Sequence, residues 1–177
     1  MRRRALLSLL PLAALAASPA LRPAAAQTTL ERLGVTALST DSFVQIVTIN
    51  GNYEIESSRL LLARSQQSLI RAFAERMIEH HAMMASELRA LPEAATRPPA
   101  GLDERHAAWL QTLRRQEEVD FLNRHYVEQQ IEAHQQALAA FEAYATDGEA
   151  PALRAFARAH APTIHRHLEM ARALQAG

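Results

Sequence analysis

The chain has no cysteine. That single absence excludes disulfides, thiolate metal sites, cysteine nucleophiles and ordinary iron–sulfur clusters, so stability must come from packing. Lysine is missing too, and all 19 basic side chains are arginine. Four of them (Arg2, Arg3, Arg4 and Arg22) fall within the first 26 residues, so the remainder carries 15 arginines against 19 acids, a net charge of −4 with neutral histidine. A nucleic-acid binder or an anionic-membrane binder needs a concentrated basic face, and the sequence offers none. Glycine numbers only five, aromatics are sparse, and no stretch alternates β-branched with polar residues. Alanine and leucine dominate instead, which favours helix nearly throughout.

Met1–Arg4 form a basic start, and Ala5–Ala17 an apolar run broken only by Ser8 and Pro11. Ala24-Ala25-Ala26 before Gln27 places small residues at the −3 and −1 positions of a cleavage site, the pattern of a signal peptide over 1–26. A retained membrane anchor would need about twenty unbroken apolar residues, and Pro11, Pro19, Arg22 and Pro23 interrupt this run too early. Arg2-Arg3-Arg4-Ala5-Leu6-Leu7 also reads as a loose twin-arginine signal. An ordinary basic start explains it more simply and favours the general secretory route. No later segment is long and apolar enough to span a bilayer, so the expected location is the periplasm or the extracellular space. The sequence names no protein partner.

Cleavage after Ala26 leaves 151 of the 177 residues, the usual size of one domain. Residues 27–41 read as a polar tether and 42–175 as the folded domain. Ser42 with Gln45 offers a capping box, after which Phe43, Val47, Asn50, Glu54, Ser57 or Ser58, and Leu61 recur on one helical face to about Arg64. A break at Ser65–Ser68 opens a second helix with the stripe Ile70, Phe73, Met77, His80 or His81, Met84, Leu88, Leu91. Pro92, Pro98, Pro99 and Gly101 make the next connection a loop. Asp103 caps a third helix that holds Trp109, Leu110 and Leu113, kinks through the charged Arg114–Glu118, and continues with Val127, Ile131, His134, Leu138, Phe141 and Ala145. Asp147-Gly148 ends it, and Pro151 opens a fourth whose stripe is Leu153, Phe156, His160, Ile164, His167, Ala171, Leu174, with Pro162 as an internal kink. Four such helices with mostly short links predict an all-α, antiparallel up-down-up-down four-helix bundle.

Glu54, His81, His134 and His167 each fall in or beside the apolar stripe of a different helix. At a rise of about 1.5 Å per residue, Glu54 and His81 lie about 15 to 21 Å from the turn joining their helices. His134 and His167 lie about 16 to 24 Å from theirs. The two hairpins thus repeat one offset, which puts the four side chains at one level of the core. Three imidazoles and a carboxylate suit one transition metal ion such as Zn, Fe or Cu. The competing account is that the polar layer is structural, each histidine bonded to Glu54, Tyr53, Tyr126 or a backbone carbonyl, in an envelope interaction or stress-related structural module that binds no metal.

Periodicity alone does not choose between His80 and His81, which lie equally far to either side of their stripe. His160 is inward by spacing and rivals His167, whereas His106, His125 and His165 read as exposed or flanking. Met77, Met84 and Met170 border the layer. Thioethers beside imidazoles would suit copper, although core filling explains methionine at least as well. A dinuclear carboxylate bundle requires Glu-x-x-His on two helices, and none occurs: Ile78, Ile131 and Ile164 precede His81, His134 and His167 at that spacing. This argues against a di-iron oxidase or ferroxidase. There is likewise no G-x-S-x-G elbow, phosphate loop, H-E-x-x-H or dinucleotide fingerprint, so no catalytic or organic-cofactor residue is assigned and enzyme activity has no positive support.

Four blocks carry a resemblance: Gly51-Asn52-Tyr53-Glu54-Ile55, Phe73 through Glu79-His80-His81, Tyr126-Val127-Glu128-Gln129-Gln130 on to His134, and Phe156-Ala157 on to Pro162, His167 and Leu168. In this order and spacing the chain resembles the exported, ferritin-like bacterial proteins of domain-of-unknown-function family 4142. The resemblance implies a ferritin-like bundle and an envelope location. Carried over residue by residue, a glutamate in the first block and one histidine in each later block fall on Glu54, His81, His134 and His167, which prefers His81 over His80 and His167 over His160. The family has no established activity, so the resemblance implies no substrate.

Overall fold

The computed structural model describes residues 38–97 and 100–176. The expected signal peptide and residues 27–37 of the expected tether lie outside the described residues. Among the described residues there are six helices, α1 Thr40–Leu62, α2 Ser68–Ala90, α3 Pro92–Ala95, α4 Glu104–Arg115, α5 Val119–Asp147 and α6 Pro151–Ala176, and no strand. The protein is all-α.

Local chemistry sets these boundaries. Ser39 caps α1 by accepting from the Ser42 amide, so the helix starts slightly before the Ser42 box expected from the sequence. Leu91 is held extended (ψ 132°) by the proline that follows it, which ends α2, and Pro92 then occupies the first turn of the one-turn α3. The expected third helix is two. Gln116 and Glu118 are extended, so the chain breaks at residues 116–118, within the charged Arg114–Glu118 stretch, between α4 and α5. With no apolar residue there to bury, nothing holds the chain helical across it. Gly148 closes α5 where the Tyr144 ring lies against its α-carbon, so that a β-carbon would collide with the ring. α6 continues through Pro162, which removes one backbone hydrogen bond without ending the helix.

The four long helices form a ring in which α1 packs on α2 and α5, and α6 packs on α2 and α5. α4 lies outside it, against α1 and α5. Burial follows the expected stripes on α2 and α6, where Ile70, Phe73, Met77, His81, Met84 and Leu88 face in, as do Leu153, Phe156, His160, Ile164, His167 and Ala171. On α5 the buried face is rotated from the expected seam. Tyr126, Gln130, Ala133, Ala137 and Tyr144 are buried beside His134 and Phe141, while Ile131 and Leu138 are half-buried.

The core has two main apolar clusters. One gathers Phe43, Val47, Met84, Phe141, Tyr144 and Ile164, with Phe43 stacked on Tyr144 at 4.2 Å. The other gathers Leu61, Phe73, Met77, Leu122, Tyr126 and Ala171. On every long helix the switch between them takes in a buried ionisable side chain: Glu54 lies between Val47 and Leu61, together with Asn50, Ser57 and Ser58, His81 between Met77 and Met84, His134 between Val127 and Phe141, together with Gln129 and Gln130, and His167 between Ile164 and Ala171. Glu54 and the three histidines are all buried.

Candidate metal centre

His81, His134 and His167 come from three helices and present nitrogens that all lie within 4.8 Å of one another. Their ring centroids form a nearly equilateral triangle, at 5.6 Å for His81–His134, 5.6 Å for His81–His167 and 5.4 Å for His134–His167. Three nitrogens bound to one first-row ion at about 2.0–2.1 Å would stand about 3.4 Å apart, so the triangle is assembled and needs only small side-chain rotations to close.

All three imidazoles are held neutral. Burial pushes His81 well below its ordinary value, helped by the neighbouring His134 and His167. Burial lowers His134 to about 4, opposed by its bond to the Gln130 carbonyl, and lowers His167 to about 3, with His134 and His80 adding to the effect. Neutral imidazole is the ligating form. Each ring also keeps one buried nitrogen with no protein partner: His81 Nε2, His134 Nε2 and His167 Nδ1. The opposite nitrogens of two rings are anchored. His134 Nδ1 donates to the Gln130 carbonyl at 2.8 Å, which fixes its tautomer and leaves the Nε2 lone pair free. His167 Nε2 and His80 Nδ1 are hydrogen-bonded at 2.7 Å, one ring donating and the other accepting, with the two rings 21° from parallel.

Glu54 is wholly buried and stands beside this triangle, with Oε1 3.6 Å from His134 Nδ1. Neither of its oxygens has a well-formed hydrogen bond, and burial raises its carboxyl well above the ordinary range; the Gln130 amide, which donates to Ser57, stands near enough to oppose this only in part. The pair is therefore two uncharged groups. A polar belt extends below it: Ser58 bonds Tyr126 at 2.8 Å, Gln130 donates to Ser57 at 3.3 Å, and Tyr53 donates to Gln129 at 2.5 Å.

The other candidates have contacts of their own. Half-buried His80 is the partner of His167, and buried His160 pairs with Glu87 at 2.7 Å and packs on Phe156. Met77 and Met84 pack in the two apolar clusters, and half-buried Met170 packs against the one that contains Met77. His106 corrects the expectation of exposure: it is buried, its Nδ1 lies 2.7 Å from the Asp103 carboxylate that caps α4, and its ring packs on Tyr53 and Trp109. The Asp-x-x-His spacing at a helix start was the signal for it. A backbone carbonyl was among the expected histidine partners, and for His134 it is that of Gln130, one helical turn earlier; side-chain identity gives no sign of which histidine turns its ring onto the carbonyl behind it.

The fold and site together define an all-α protein with a buried three-histidine cluster able to hold a metal ion. Its sequence falls in a family known by description alone: the chain belongs to the family Domain of unknown function (DUF4142), whose sequence model matches residues 19–174. Comparison with curated proteins and with solved structures found no match in either.

Proposed function

We infer that the protein is an exported, ferritin-like, antiparallel four-helix bundle that binds one transition metal ion (Zn, Fe or Cu) through His81, His134 and His167, for binding or buffering and with no catalytic role assigned. The observation that carries this reading is the convergence of three neutral, buried imidazoles from three helices within 4.8 Å. A layer that served only to fix helix register would be expected to satisfy its own polar atoms. This one leaves a nitrogen on each ring and both Glu54 oxygens without a protein partner, which favours ligation over the non-metal interaction module.

Glu54 has a place in the charge balance. A divalent ion on three neutral imidazoles would bury two positive charges, and a carboxylate one side chain away compensates part of that charge once it ionises. Its position next to His134 Nδ1, the nitrogen turned away from the free Nε2, supports a role behind that ligand; service as a fourth ligand, the role first expected of it, would require the carboxylate to move around the ring.

The test is untagged protein recovered from the exported fraction. Mass spectrometry should find a chain beginning at Gln27, and elemental analysis about one metal ion per chain. His134→Ala should stay folded and lose the metal, and Glu54→Gln should weaken it by about 10- to 100-fold. A folded, metal-free wild-type protein that takes up no metal on titration would sink the metal reading.

A further inference from the structure

A cavity of about 360 Å³ lies between α1 and α2, against the histidine layer. Asn50, Gly51 and His81 line it at that level, and Val44, Leu88 and Ala94 line it farther along. Gly51 to Val44 on α1 and His81 to Leu88 on α2 are each two helical turns, so the slot is about 10 Å long. Its sides are apolar, formed by Val47, Met84, Phe141 and Ile164.

Protein interiors are ordinarily packed without voids larger than a water molecule, and this volume is in the range of small-ligand pockets. Small residues keep it open. Gly51, Ala85 and Ala137 face it with no side chain or a single methyl. Glycine inside a helix costs about 1 kcal/mol relative to alanine. A β-carbon at Gly51 would meet only His81 Nδ1, at an ordinary 3.9 Å, so close packing does not require glycine there. No aspartate or glutamate lines the slot, while two arginines do, Arg89 and Arg97. Arg97 is tied to Asp41. Arg89 is exposed and makes no hydrogen bond or ion pair among the described residues. Of the nearby acids, Glu87 is engaged by His160, and Glu93 stands outside the lining.

We propose that this slot is a binding site for a small aliphatic monocarboxylate, its apolar chain against Val47, Met84, Phe141 and Ile164 and its carboxylate at the mouth on Arg89. The volume admits one short chain. Uncharged chains would lack the pairing at the mouth, and cationic ones would meet Arg89, whose charge no acid among the described residues pairs, since Arg97 is held by Asp41. The site adjoins the histidine cluster but does not depend on a metal there.

Calorimetric titration of the purified, metal-stripped protein with octanoate, whose extended chain matches the slot, should show saturable one-site binding. Acetate, lacking the chain, and octylammonium, lacking the anion, should each bind at least about tenfold more weakly. Arg89→Glu, at an exposed position, should weaken octanoate by at least about tenfold, and Ala85→Phe should abolish binding by filling the slot. Should Ala85→Phe not fold, Arg89→Glu and the octylammonium comparison still decide. Absence of saturable binding overturns the proposal, whether the slot is then empty or filled by another part of the chain. So does equal affinity for octanoate and octylammonium, or binding that appears only in metal-loaded protein and is indifferent to Arg89. Because the metal is removed beforehand, failure of the metal reading leaves this result untouched.

Discussion

Glu54 and His134 face each other at 3.6 Å with burial holding both uncharged, and their linkage to folding has opposite signs. His134 at about 4 and His167 at about 3 lie below their ordinary 6.5, so at intermediate pH the unfolded chain holds protons the folded one does not. Their contribution to stability is complete above 6.5 and is lost as pH falls toward those folded values, and His81 is displaced in the same direction. Each such proton is worth up to about 1.4 kcal/mol per pH unit. Glu54, raised above its ordinary 4.5, contributes most below that value and progressively less as pH climbs through its folded value. With three histidines against one carboxyl, metal-stripped protein should have a lower urea midpoint at about pH 5 than at about pH 7. His134→Gln should flatten the slope. A wild-type midpoint independent of pH over this range would contradict the neutral-imidazole description. At this scale helical period and rise put one inward histidine position on each of three helices at a common depth but left His80 beside His81 and His160 beside His167, and it was the family resemblance that preferred His81 and His167. It could not separate a candidate ligand from its neighbour, since Glu54 and His80 differ from the three histidines by ångströms of side-chain reach and not by period, and the Gln130 carbonyl that holds His134 is backbone.

At the scale of elements, α4 shows what periodicity missed. Its apolar residues Leu110 and Leu113 are buried as expected, but the helix lies across α1 and α5 outside the ring instead of extending α5. A stripe reports that one face is covered and says nothing about which helix covers it. The rotation of the α5 face has a similar cause: Ile131 and Leu138 fit a three-four seam, but α1 and α6 both pack on α5 and widen the covered sector to include Gln130, Ala133 and Ala137. What holds α4 in place is local and testable. Asp103 accepts from both the His106 amide and its ring, and His106 in turn packs on Tyr53 and Trp109. Asp103→Ala should therefore destabilise the protein by about 1 to 2 kcal/mol in urea unfolding, a helix cap plus a side-chain bond. Asp103→Asn, which can still accept, should lose less. If the alanine variant matches wild type, the cap does not anchor α4.

Across the whole molecule, the histidine layer lies between the two apolar clusters, so its state is felt by all four long helices at once. Three neutral imidazoles cost the metal-free fold the hydrogen bonds their unpartnered nitrogens lack, a penalty the unfolded chain in water does not carry. An ion that binds the assembled triangle and not the unfolded chain removes that penalty and adds its own binding free energy. At a free concentration about 100 times its dissociation constant, the gain is about 2.7 kcal/mol. For a chain of this size that should raise the melting temperature by several degrees, about 5 to 10 °C. Thermal unfolding of stripped protein against protein reloaded with Zn²⁺ should show the rise, and the rise should vanish in His81→Ala and His167→Ala as completely as in His134→Ala, because each helix supplies one vertex. A comparable shift in all three variants would locate the stabilising ion elsewhere on the surface. Wild-type protein whose melting temperature is indifferent to Zn²⁺, Cu²⁺ and Fe²⁺ alike would instead leave the layer as a polar seam that holds the helices in register.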